Sequence, residues 1–151
     1  MKKQFEIYRT TCKTLLAYIE GLSAEQLNRI PAGFNNNIIW NLAHMFTVQQ
    51  AGCYKRRGHS MLIDEATYEN FKPGMVPPPF LDDEQINPDK DLFLNTIDQW
   101  GKDYNDNLFA QNPSWRQSMG IDMNTIEESI NFLLWHDGVH GGIIMSLKKL
   151  V

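Results

Sequence analysis

The sequence predicts an all-α protein, a four-helix bundle in which a long crossover joins the second and third helices. Apolar residues recur every three or four positions in four separate segments, as they do on one face of a helix. No segment alternates apolar and polar residues as a half-buried strand does. A stretch that cannot lie inside a helix, PGMVPPPF, separates the second segment from the third.

The first helix is predicted over residues 3–20. Its apolar stripe consists of Phe5, Tyr8, Cys12, Leu15 and Ile19. Gly21 follows as a residue that commonly ends a helix. Ser23 and Gln26 then have the spacing of a capping box, which predicts a short helical turn before Pro31.

The second helix is predicted from about Asn37 to Tyr54. This segment contains no proline and is apolar on most faces, so we expect it to be well buried. Residues 55–86 follow as the crossover, which has room for a turn of helix. Because a segment of this length can span the bundle from end to end, the second and third helices can run parallel.

The third helix is predicted to begin at Asn87–Pro88, an N-cap residue followed by proline in the first turn, and to end before Pro113. Its apolar stripe consists of Phe93, Ile97, Trp100, Tyr104 and Leu108. Thr125 and Glu128 form a second capping-box pattern, which predicts that the last helix begins there and runs to the C-terminus.

Composition narrows the class of protein. A chain of 151 residues is long enough for one domain, over residues 1–151, with a substantial core. The net charge is −4 and the basic runs are short, so we expect no nucleic-acid partner. No stretch approaches the roughly 20 apolar residues of a membrane helix, and the N-terminus lacks the apolar core of a signal peptide. Two distant cysteines are typical of reduced thiols, so we expect a cytoplasmic protein.

Two of the four histidines lie one helical turn apart in the last predicted helix, within LLWHDGVHGG. His140 lies at the centre of the apolar stripe of this helix, and His136 lies about 40° to one side. Both imidazoles therefore face the core from adjacent turns, as in a two-histidine metal chelate. On the second helix, His44 faces the same core and can supply a third ligand.

Other interpretations of these residues are open. A single inward histidine such as His44 is more often a core residue that is hydrogen-bonded to a neighbour. A buried pair is rarer, because each imidazole needs its own partner. Asp137 lies between the paired histidines, either as a partner that orients one of them or as a polar residue of the bundle. It replaces the Glu of the HExxH motif and no further ligand follows, so we do not expect a peptidase. His59 lies in a polar loop and is expected to be exposed to solvent.

The sequence resembles the DinB superfamily over essentially its whole length. The resemblance is carried by LSAEQLNRIP after the first helix, NNIIWNLAHMF in the second, FKPGM in the crossover and LLWHDGVHGGIIMSLKKL in the last helix. This superfamily is related to bacillithiol transferases and mycothiol-dependent isomerases, and its bundle runs up-down-down-up. Position by position, its metal triad falls on His44, His136 and His140. The sequence departs from the family pattern at Asp137, where Glu is usual, and at Gly142, where Gln is frequent.

The resemblance implies a divalent transition metal, with zinc or nickel as the first candidates, held by three imidazoles with one coordination position open. It implies a metal-dependent thiol S-transferase or a related hydrolase that acts on a small-molecule substrate with a low-molecular-weight thiol. The alternative is a non-catalytic metal- or ligand-binding helical bundle. Trp40 and Trp135 are candidates for the mouth of a substrate site, although such side chains are more often plain core. The sequence identifies no catalytic acid–base residue.

The sequence also suggests an assembly. The second helix is apolar on nearly every face, and we do not expect one bundle to cover all of such a surface. Because exposed apolar patches mark interfaces, we expect a homodimer with twofold symmetry.

Overall fold

The computed structural model describes residues 1–110 and 113–151, with side chains at all of these positions except 88 and 89. Over these residues, four long helices form the bundle: α1 (Lys2–Ile19), α3 (Ile38–Cys53), α5 (Asp83–Asn105) and α6 (Ile126–Leu147). The connections contain two short helices, α2 (Ala24–Asn28) and α4 (Glu65–Phe71), a 3₁₀ turn over Lys55–Arg57, and an antiparallel hairpin of β1 (Trp115–Arg116) and β2 (Asp122–Met123). The predicted all-α fold class is confirmed.

The bundle runs up-down-down-up, with the crossover between α3 and α5. The α1 helix is antiparallel to α5, and α3 is antiparallel to α6, whereas α3 runs parallel to α5 and α1 runs parallel to α6. Two contacts fix each direction. For α1 and α5 they are Phe5–Tyr104 and Arg9–Asp98, and for α3 and α6 they are His44–His140 and Arg57–Ser129. For α3 and α5 they are Phe46–Phe93 and Tyr54–Asp103, and for α1 and α6 they are Tyr8–Asp137 and Tyr18–Lys148. The parallel pair predicted from the length of the crossover is therefore present.

Capping side chains start three of the helices where the sequence predicts. Ser23 and Gln26 form a complete capping box at α2, and Thr125 and Glu128 form another at α6. The side chain of Asn37 accepts a hydrogen bond from a backbone N–H in the first turn of α3. These bonds fix where the helices that carry the histidines begin.

The predicted start of the third long helix is wrong. The α5 helix begins at Asp83, ahead of Asn87–Pro88, because Asp82 and Gln85 form a capping box earlier in the chain. It also ends at Asn105, so Leu108 lies outside the helix and is 40% exposed. The hairpin was not predicted either, because strands of two residues are too short to show alternation.

The α3 helix lies at the centre of the fold. All of its residues are buried except Val48, because α2, α4, α5 and α6 all pack against it. The expectation that a single bundle would leave this helix uncovered is therefore wrong, and the homodimer stays a prediction without that support. No helix in the described part of the chain combines the length and the hydropathy needed to cross a membrane.

Candidate metal centre

Three histidine side chains meet between α3 and α6. One ring nitrogen from each of His44, His136 and His140 lies within 4.8 Å of the other two. The ring centroids are 4.5 Å apart for the pair on α6, and 4.8 and 5.4 Å apart for the pairs that include His44. Antiparallel packing of α3 on α6 therefore brings together the three histidines that the sequence singled out.

Hydrogen bonds fix the tautomers of two of these rings. Nδ1 of His44 lies 2.6 Å from the backbone carbonyl oxygen of Phe71, the last residue of α4. Nδ1 of His140 lies 2.9 Å from Oδ1 of Asn41, one turn before His44 on α3. Because both partners are acceptors, Nδ1 of each neutral ring carries the proton and Nε2 keeps a lone pair.

The carboxyl group of Asp137 holds the third ring and joins it to α1. Its Oδ1 accepts a hydrogen bond from Nδ1 of His136 at 2.9 Å, and its Oδ2 accepts a hydrogen bond from the hydroxyl of Tyr8. Burial raises the pKa of Asp137, although the hydrogen bonds from His136 and Tyr8 act in the opposite direction. Of the two interpretations of Asp137, the structure favours the partner that orients His136.

These contacts suit a metal ion. The nitrogens left available are the three Nε2 atoms, and each opposite nitrogen is bonded to an acceptor, as is usual for histidines that bind metals. Three available lone pairs close together suit a divalent cation, which binds imidazole nitrogens at about 2.0–2.1 Å. The three histidines could therefore hold a metal ion.

Burial also keeps two of the imidazoles, those of His44 and His140, in the form that binds metal. Desolvation is the largest effect on both His44 and His140, and it lowers their pKa values to about 4 and about 3. The neighbouring imidazoles act in the same direction, because a second positive charge in the cluster is unfavourable. Neutral imidazole is the species that coordinates a metal.

We expect the metal-free protein to lose stability as the pH falls from about 6.5 to about 4. An unfolded histidine takes up a proton near pH ~6.5, whereas folded His44 does so only at about 4. The unfolded state binds more protons in this window, so the free energy of unfolding falls as the pH falls, and the contribution of His44 levels off below about 4. Urea unfolding near pH ~7 and ~4.5 should show wild type losing about 2–3 kcal/mol more than His44→Gln. Equal losses in the two proteins would contradict this prediction.

The two tryptophans predicted at a substrate mouth lie in different environments. Trp40 is 4% exposed and stacks on His44, with ring centroids 4.5 Å apart. Trp135 is 54% exposed, and its ring contacts Phe132, which in turn contacts His136. Trp40 therefore forms a wall of the cluster, and Trp135 lies on the outer face of α6. The side chain of His136 is 13% exposed, so solvent reaches the cluster.

The fourth histidine lies outside the cluster. His59 is half-buried, and the edge of its ring contacts Phe109 with centroids 5.7 Å apart. The expectation that it is a solvent-exposed loop residue is therefore wrong in part, since Phe109 covers one side of the ring.

Three further groups hold the histidines, and the sequence gives a signal for one of them. Tyr8 belongs to the apolar stripe of α1, so its hydroxyl group gives no separate signal. Asn41 does give one, because a fully buried amide in an apolar helix needs partners. The carbonyl of Phe71 gives none, since its position depends on the path of the crossover.

A comparison with protein families finds a match to the family model described as the DinB superfamily, over residues 7–144. This span contains His44, His136 and His140 and the residues that hold them. A comparison with curated proteins finds no match. The family match covers almost all of the chain, and the chain therefore belongs to the DinB superfamily.

Proposed function

We propose that the protein binds one divalent transition metal per chain, zinc or nickel, through Nε2 of His44, His136 and His140. The observation that carries this proposal is that each Nδ1 atom is bonded to an acceptor, which leaves the Nε2 lone pairs of three neighbouring, buried or partly buried histidines available. Ligation by nitrogen alone suits zinc or nickel. Three protein ligands are typical of a site that keeps a coordination position open for water or substrate.

We propose further that the site serves thiol S-transfer to a small electrophilic substrate, or a related hydrolysis in which water replaces the thiol. A bound divalent metal would lower the pKa of a thiol at the open position. In the transfer, the thiol proton passes to solvent, sulfur forms a bond to carbon, and the bond from that carbon to halogen or oxygen breaks. A halide departs with the electron pair, whereas the oxygen of an opened epoxide keeps the pair and takes a proton from solvent. Trp40 covers His44 on one side, and the partly exposed His136 leaves access from another.

The chain's own thiols are not suited to this chemistry. Cys12 is 2% exposed and Cys53 is fully buried. Burial raises the pKa of both thiols far above the ordinary value. The nucleophile is therefore a small thiol from solution.

The alternative is a non-catalytic metal- or ligand-binding bundle. The hydrogen bonds of Asp137 favour this alternative. Both oxygens of this carboxylate, which contacts His136, already accept hydrogen bonds. Among the described contacts of the three histidines, no other acid or base is available for proton transfer. Metal binding without rate acceleration is the signature of this alternative.

We expect metal-loaded protein to accelerate thiol conjugation about tenfold over the chelated protein. A free thiol with a pKa of ~8.5 is only a few per cent ionised at neutral pH, so full ionisation gains up to ~30-fold. The lower nucleophilicity of a more acidic thiol reduces this gain. The measurement is the rate of conjugation for a panel of thiols, bacillithiol among them, with a chlorinated aromatic compound and with an epoxide.

Matched variants test this assignment. His140→Ala should show no acceleration when the metal is present, whereas Cys12→Ser and Cys53→Ser should retain the wild-type rate. Equal rates for wild type and His140→Ala across the panel would rule out metal-assisted thiol transfer for these substrates. If wild type binds metal and accelerates none of the reactions, the non-catalytic bundle is the better description.

A further inference from the structure

A groove of about 490 Å³ lies between α1 and α6, on the side of α6 that faces α1, whereas the histidines face α3. Its walls are mostly apolar and include Ile7, Leu15, Met45, Leu134 and Met145. We propose that this groove binds a small apolar molecule that carries a neutral or cationic hydrogen-bond donor, such as an aryl or alkyl alcohol or amine. The groove and the histidines lie on different faces of α6, although Asp137, which orients His136, also lines the groove. The proposal does not depend on the function proposed above.

Three glycines of α6 keep the groove open. Gly138, Gly141 and Gly142 all line it, and a Cβ atom added at any of them would meet no heavy atom within 4 Å. Helix packing within the chain therefore does not require glycine here, although glycine is less favourable than alanine in a helix interior. Side chains at these positions would occupy the groove.

The rim and the depth of the groove indicate a small apolar ligand. At the rim, Ile7 is 43% and Met145 is 50% exposed, so apolar surface is open to solvent beside the cavity. The groove also reaches side chains that are almost completely buried, Tyr8 at 1% and Cys12 at 2% exposure. A concave, mostly apolar cavity of this volume is typical of small-molecule sites, whereas a flat protein surface cannot reach so deep.

The floor of the groove selects the polar group of the ligand. Oδ2 of Asp137 accepts a hydrogen bond from the hydroxyl of Tyr8, and Oδ1 accepts one from His136, so these groups offer lone pairs and no spare donor. Of the described residues that line the groove, none is Lys, Arg or His. A carboxylate ligand would therefore face oxygen acceptors that cannot donate to it, whereas an alcohol or an amine can donate to them.

The test uses three probes that share one ring system: 2-naphthalenemethanol, 2-naphthylmethylamine and 2-naphthoate. They are titrated by calorimetry into the full-length chelated protein, so that no probe can bind through a metal. We expect the alcohol and the amine to bind with dissociation constants of about 0.1–1 mM, and the carboxylate to bind at least about tenfold more weakly.

Variants that fill the groove locate the site. Gly141→Leu and Gly138→Leu should each weaken binding of the alcohol about tenfold or more, and replacement of glycine within a helix should not lower the melting temperature. Ser146→Leu, at an exposed position of α6 outside the groove, is the matched control and should bind like wild type.

Any of three results would overturn the proposal. The first is wild-type affinity for the alcohol in both glycine variants, and the second is equal affinity of wild type for the alcohol and the carboxylate. The third is a dimer by light scattering that binds no probe and becomes monomeric in Gly141→Leu, because a second copy of the chain would then cover the groove.

Discussion

Replacing any one of His44, His136 or His140 with Ala should weaken metal binding by about 100-fold or more. Loss of a residue that merely orients a ligand typically costs 10–100-fold, and loss of the ligand itself costs at least as much. Each histidine supplies one of three converging nitrogens, so each variant leaves two. Competition with a chromophoric chelator measures the affinity, and elemental analysis of untagged protein should give about one metal per wild-type chain.

His59→Ala is the matched control, because His59 is the remaining histidine and lies outside the cluster. It should retain the metal affinity and the metal content of wild type. Metal should raise the melting temperature of wild type and of this control by mass action. It should leave the melting temperatures of the three ligand variants unchanged. Wild-type affinity in His44→Ala would show that the proposed trio is wrong.

Asn41→Leu and Asp137→Ala should each weaken metal binding by about 10–100-fold, although neither side chain is a proposed ligand. Asn41 accepts a hydrogen bond from Nδ1 of His140, and Asp137 accepts one from Nδ1 of His136. Without the acceptor, the ring can move its proton to Nε2 or rotate, and both changes remove a lone pair from the cluster. The competition assay described for the histidine variants measures the loss.

Conservative variants separate orientation from packing. Asn41→Asp keeps an oxygen beside Nδ1 of His140, so it should lose less affinity than Asn41→Leu. Tyr8→Phe removes the donor to Oδ2 of Asp137 but leaves Oδ1 with His136, so it should lose less than Asp137→Ala. If Asn41→Leu bound metal as well as Asn41→Asp, the hydrogen bond would have no part in holding the ring.

Local patterns account for what the sequence could predict. The pair of histidines on α6 is identifiable from the sequence because four residues make about one helical turn. The start of this helix is identifiable because its capping box lies within four consecutive residues. The start of α5 was missed because two capping signals compete there, and the earlier one forms. The addition of His44 to the pair depends on the packing of α3 against α6, so the residues alone left its role open.

The hydrogen bond from His44 to the carbonyl of Phe71 makes the site unequally tolerant of mutation. Point mutations can delete the acceptors of the other two rings, because Asn41 and Asp137 supply them from side chains. No side-chain substitution at position 71 deletes a main-chain carbonyl, although it can weaken the packing of this buried residue. Insertions or deletions in the crossover are the changes that displace the carbonyl. The site therefore constrains which residues occupy positions 41 and 137, whereas around position 71 it constrains the length of the crossover.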